Sequence, residues 1–174
     1  MDPLVAAAGN GDFDTVKNII DTGSDVNVAD DGLTPLISAT RNGHVSLVKL
    51  LVENGADINT TDSEGDAPML IAAAEGHVEI AQFLSKMGGD VEKTGKEANT
   101  PLIYAAKNGR LETVRWLLEQ GANIDRTNVF GSTALLRATS SGHIDTVKLL
   151  LEKGAAVDMP TKYGCTPFLF AALN

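Results

Sequence analysis

The chain has 174 residues, of which 43% are apolar but only 5% aromatic, so alanine, leucine, isoleucine and valine must fill its core. That composition suits thin layers of closely packed helices better than one centre filled by rings. A net charge of −9 and a pI near 4.7 argue against nucleic acid and against anionic membrane surfaces, and leave a basic partner open.

In chain order, the first apolar run predicts a helix over 2–9. The next helical segment carries Asp14, Thr15, Lys17 and Asn18 and reads as a polar N-terminal cap. Thr34-Pro35 is a helix start: the hydroxyl accepts from an orphan N–H, and proline at the first helical position has no N–H to lose. A short apolar helix follows over 36–40, and Asn42-Gly43 ends it. A second helix is predicted over 45–53, with Val45, Val48, Leu51 and Val52 forming one buried stripe. Gly55 stops it, and the polar, glycine-marked stretch 57–65 predicts an extended segment with a tight turn. The same pattern restarts at Ala67-Pro68, Thr100-Pro101, Thr133-Ala134 and Thr166-Pro167.

The repetition is strict. Gly43, Gly76, Gly109 and Gly142 recur every 33 residues, as do Gly55, Gly88, Gly121 and Gly154, and Ala39, Ala72, Ala105, Ala138 and Ala171. Ala7, Gly11 and Gly23 continue these series with a step of 32, so one residue is missing near Ala29. Neither helix of a unit can bury its apolar face alone, and stacking the units does so.

The residues Gly32-Leu33-Thr34-Pro35-Leu36 with Ala39, Gly43-His44, Val48, Leu50-Leu51 and Gly55-Ala56-Asp57-Ile58-Asn59 resemble the ankyrin repeat. The resemblance covers essentially the whole chain. It implies a mainly α solenoid of stacked helix-turn-helix units with β-hairpin fingers. The chain is read as one ankyrin-repeat domain over 1–174, with an N-terminal cap at about 1–29, repeats at 30–61, 62–94, 95–127 and 128–160, and a partial repeat at 161–174. The run Phe168-Leu169-Phe170, with no second helix following to cover it, leads to the expectation that the chain belongs to a longer array, or that this end pairs with something.

Two departures from the pattern matter. The signature histidine is replaced by Ile37, Leu70, Ile103, Leu136 and Leu169, exchanging a side-chain hydrogen bond for aliphatic packing. The third repeat has Ala67, Ser85 and Gly88-Gly89, and the next finger has Ala98 where its relatives carry glycine. If that position needs positive φ, alanine costs on the order of 1 kcal/mol. The stretch 85–99 is therefore expected to be the weakest point of the array.

No catalytic constellation stands out, and neither an enzymatic activity nor a cofactor is implied. His44, His77 and His143 all follow the inter-helix glycine. Equivalent positions in adjacent repeats lie a helix layer apart, roughly 8–10 Å, too far to share a metal ion. Cys165 is the one cysteine, so an intrachain disulfide is excluded, and no histidine of its repeat stands by to activate it. No apolar run approaches the ~20 residues of a membrane span, and Met1-Asp2-Pro3 has no signal-peptide character. The expected setting is the cytoplasm or nucleus. Asn27 and Asn59 close Asp-x-Asn motifs resembling ankyrin sites that are hydroxylated on asparagine; the plainer reading is that each asparagine bonds its own hairpin.

The resemblance places the partner on the fingers and the exposed side of the first helices. There the N-terminal half carries Asp30, Asp31, Asp62, Glu64 and Asp66, with Arg41, Ile71 and Glu75 on its helices. The C-terminal half carries Lys96, Val129, Phe130, Lys162 and Tyr163, with Tyr104, Lys107 and Arg137 on its helices. Aromatic residues and arginine dominate interface hot spots. The expected function is a protein-interaction module, with Tyr104, Phe130, Arg137 and Tyr163 anchoring a protein or peptide. Asp31, Glu64, Asp66 and Glu75, together with Arg41 and Lys107, set its charge preference, favouring a basic segment with an apolar anchor. The alternative is a self-associating element stacking end to end through Phe168 and Phe170.

Overall fold

The computed structural model describes residues 1–167. Among them run ten α-helices: α1 (Pro3–Asn10), α2 (Phe13–Asp21), α3 (Pro35–Arg41), α4 (Val45–Glu53), α5 (Pro68–Glu75), α6 (Val78–Lys86), α7 (Pro101–Lys107), α8 (Leu111–Glu119), α9 (Ala134–Ser140) and α10 (Ile144–Glu152). The helix expected over 2–9 is shifted by one, because Asp2 stands outside it as the cap and its carboxylate accepts from the Leu4 N–H at 2.8 Å. The threonines start their helices as the sequence predicts: Thr34, Thr100 and Thr133 accept from the N–H of Ile37, Ile103 and Leu136 at 3.3, 3.2 and 3.2 Å.

The chain divides into two compact units. The first comprises residues 1–72 and 79–90. Here α1 packs on α2 and α3, and α4 packs on α2 and α3. The stripe of α4 is buried at Val48, Leu51 and Val52 and includes Leu47, while Val45 is only half-buried. The polar α2 buries Val16 alone. Asn27 ties two loops of this unit together: its amide donates to the Gly55 carbonyl at 3.0 Å and accepts from the Asp57 N–H at 2.8 Å. The expectation that this asparagine serves its own hairpin is thereby corrected. The partner groups lie one repeat further on, because the side chain reaches along the stack rather than back into its loop.

The second unit comprises residues 73–78 and 91–174, described to residue 167. Here α7 packs on α8 and α9, and α10 packs on α8 and α9. The loops are tied as in the first unit, with Glu92 accepting from the Asn123 N–H at 2.7 Å and Asp125 from the Ala156 N–H at 2.9 Å. The ring of His143 bonds the Lys107 carbonyl at 2.9 Å. Arg110, which holds the corresponding place one repeat earlier, donates to the Ala74 carbonyl at 3.0 Å. In the first unit His44 does the same to Gly9 at 3.0 Å. A side chain at the inter-helix turn thus caps a C-terminal carbonyl of an earlier first helix.

A candidate partner-binding surface

The fingers are short turns. Four close on a bond from the first residue's N–H to the carbonyl four residues on: Asp62 to Asp66 at 3.1 Å, Gly95 to Asn99 at 3.0 Å, Asn128 to Ser132 at 3.1 Å and Thr161 to Cys165 at 2.8 Å. The first finger is one residue shorter, with reciprocal Asp30–Leu33 bonds of 2.9 Å forming an isolated antiparallel bridge. The missing residue is therefore lost from the fingertip itself, and the two-residue tip forces Asp31 to φ +49° beside Gly32 at +77°.

The first residue of a finger builds its turn. Asp62 accepts from the N–H of Glu64 and Asp66 at 2.9 and 3.0 Å. Asn128 accepts from Phe130 and Ser132, both at 3.0 Å. Thr161 accepts from Tyr163 and Cys165 at 3.2 and 3.1 Å. Gly95 has no side chain to offer. Its finger tightens into a single 3₁₀ turn, Lys96–Ala98, with Glu97 at φ +60° and Ala98 at +57°. Alanine therefore does occupy the left-handed region at the position where its relatives use glycine.

This geometry sorts the candidate residues of the first unit. Asp62, expected as a partner-facing acid, is instead a turn-builder with its side chain only 6% exposed, and it holds Arg41 at 2.6 Å. Asp30 is likewise occupied, accepting from the Asp2 N–H and lying 3.3 Å from the terminal ammonium. Ile71, expected on the exposed side of its helix, is buried. Asp31 and Glu64 are exposed and Asp66 is half-buried.

In the second unit Glu75 is exposed and lies 3.7 Å from Arg110. Two of the expected anchors of this unit are exposed. Phe130 is 37% and Tyr163 78% exposed, with Val129 at 44% beside them. Tyr104 and Arg137 are half-buried and Lys107 is exposed. Tyr104 and Arg137 share one register position on α7 and α9, helices that pack on each other. Successive fingers are tied backbone to backbone, the Val129 N–H donating to the Glu97 carbonyl at 2.9 Å and the Lys162 N–H to the Phe130 carbonyl at 3.0 Å. Gly131 permits this approach: it sits at φ +78°, and a Cβ there would meet the Lys162 nitrogen at 3.1 Å. The turn-building role of Asp62, Asn128 and Thr161 was readable from their shared place seven residues after the loop glycines Gly55, Gly121 and Gly154.

Among the described residues no group of three or more histidines, cysteines or acids is gathered to hold a metal. No described helix is long and apolar enough to cross a membrane.

Family models describing ankyrin repeats in many copies match residues 42–84, 102–151 and 137–174, and one describing three copies matches residues 1–62. The chain belongs to the ankyrin-repeat family. No curated protein sequence matched it. Among solved structures, the crystal structure of the human ASB11 ankyrin repeat domain is similar over 100% of this chain and 78% of that one, at 31% identity and a TM-score of 0.91. The fold class is thus a mainly α ankyrin-repeat solenoid. Ankyrin-repeat domains are in general protein-interaction modules, and typically non-enzymatic ones. Their stacked repeats present an extended surface on a rigid frame.

Proposed function

We propose that this chain holds a partner protein or peptide segment through its fingertips and the accessible side of its first helices. The observation that supports this reading is the placement of Val129, Phe130 and Tyr163 in solvent at the tips of two successive fingers of the second unit. Large side chains without a core to fill mark an interaction surface when they cluster. Here they stand on backbone already fixed by the Lys162–Phe130 bond, so little ordering is left for binding. The acids Asp31, Glu64 and Asp66 of the first unit favour a basic segment, drawn in by complementary charge.

The test is capture of partners from the cell of origin by the full chain and by the Phe130→Ala/Tyr163→Ala variant, read by mass spectrometry. The same proteins should be depleted about tenfold or more on the variant, with thermal melting unchanged. Equal recovery on both would refute the anchoring role. A second reading, carried over from the sequence, is self-association. Phe168 and Phe170, the residues first expected to carry it, lie outside the described residues. Light scattering that gives the mass of a monomer at high concentration would dismiss it.

A further inference from the structure

Arg137 is the arginine whose charge the described chain does not answer. The other four each have a carboxylate nearby: Arg41 with Asp62 at 2.6 Å, Arg110 with Glu75 at 3.7 Å, Arg115 with Glu112 at 3.8 Å and Arg126 with Glu92 at 2.7 Å. Arg137, at the middle of α9, forms no ion pair among the described residues, and its Nε is buried without a hydrogen-bond partner. A lysine so placed could shed its proton. A guanidinium cannot, so it keeps both its charge and its unmet donor.

The surroundings select the kind of group that would satisfy it. Lys107 on α7 and Lys162 on a fingertip are exposed and form no ion pair among the described residues, whereas Glu97 is the one acid on the described fingertips of this unit and Glu75 lies 3.7 Å from Arg110. Tyr104 precedes Arg137 by one repeat at the same register, and Phe130 and Tyr163 stand on the fingertips of the same unit. A cationic fork in a unit whose fingertips carry exposed aromatic side chains matches a carboxylate carried beside an apolar residue.

We propose that Arg137 receives a carboxylate from the partner, an aspartate or glutamate side chain next to an apolar one. The inference rests on the partner-holding reading and names what the second unit takes. It also sets this unit apart from the first, whose acids favour a basic segment.

A display library of random linear peptides, selected on the full chain, supplies the probe, and fluorescence polarisation measures the selected peptide and its Glu→Gln or Asp→Asn counterpart. The selected sequences should share an acid beside an apolar residue. Removing that carboxylate, or making Arg137→Gln, should weaken binding about tenfold or more, and the two changes together should add little further. Arg137→Lys should fall between, since it keeps charge and loses the fork. Selected peptides without a common carboxylate overturn the inference, as does an Arg137→Gln protein that weakens both peptides equally. The carboxylate-free peptide tests it on the unaltered protein, should the variant fold poorly. A chain that selects no peptide sinks the partner-holding reading itself, and this inference with it.

Discussion

At the scale of single residues, the fingers show how one side chain sets a backbone. Asp62, Asn128 and Thr161 each supply an acceptor for two N–H groups of the turn. Gly95 supplies none; in its finger Glu97 is left-handed as well, and Ala98 holds the left-handed conformation that Gly65, Gly131 and Gly164 hold as glycine. Ala98→Gly should therefore stabilise the protein by about 1 kcal/mol, seen as a higher urea midpoint at unchanged slope; a lower midpoint would mean that Ala98 is not strained. Two aspartates contribute to the pH dependence. Asp12 is held below the usual carboxylate range by the Thr15 hydroxyl and then its N–H, and Asp30 by the Asp2 N–H and then the terminal ammonium. A lowered folded pKa means stability that is complete above the unfolded value and lost as the pH falls through the carboxylate range. Acid titration of the melting temperature should show this loss, reduced in Asp12→Asn and Asp30→Asn. Parallel curves for all three proteins would rule it out.

At the scale of elements, a finger is a turn closed by its own first residue and then tied to its neighbour. In the first unit Asp62 joins both roles, holding two turn N–H groups and the Arg41 guanidinium with little exposure to water. Asp62→Ala should cost about 1 kcal/mol, because it removes the acceptor of two turn N–H groups and the partner of the half-exposed Arg41. Chemical denaturation measures this, and a loss within a few tenths would show that the turn forms without the carboxylate. The helices were more legible than the fingers. Threonine and proline starts and the apolar stripe of α4 are local signals, and they recur at fixed offsets. The fingers depend on which residue begins each turn, and Ile71 is buried although its place in the repeat matches the half-buried Tyr104 and Arg137.

At the scale of the molecule, a repeat array adds its stability from units and nearest neighbours. Leu117→Ala, which empties a fully buried site in α8, should cost about 2–5 kcal/mol, and its effect should be local. Hydrogen exchange should quicken over α7 to α10 more than over α1 to α3; an equal rise everywhere would mean that the chain unfolds as one block. The sequence by itself determined the family, the helix pairs and the buried alanines and leucines, because a period of 33 residues states one packing solution many times over. It also marked Phe130 and Tyr163, since rings outside that repeating pattern have no core to fill. The tertiary structure alone decided which charges are spent. Asp62 and Arg41 neutralise each other, Asn27 reaches into the next repeat, and Arg137 is left without an anion among the described residues, because such partners are brought together by packing across the repeat, which no local pattern encodes.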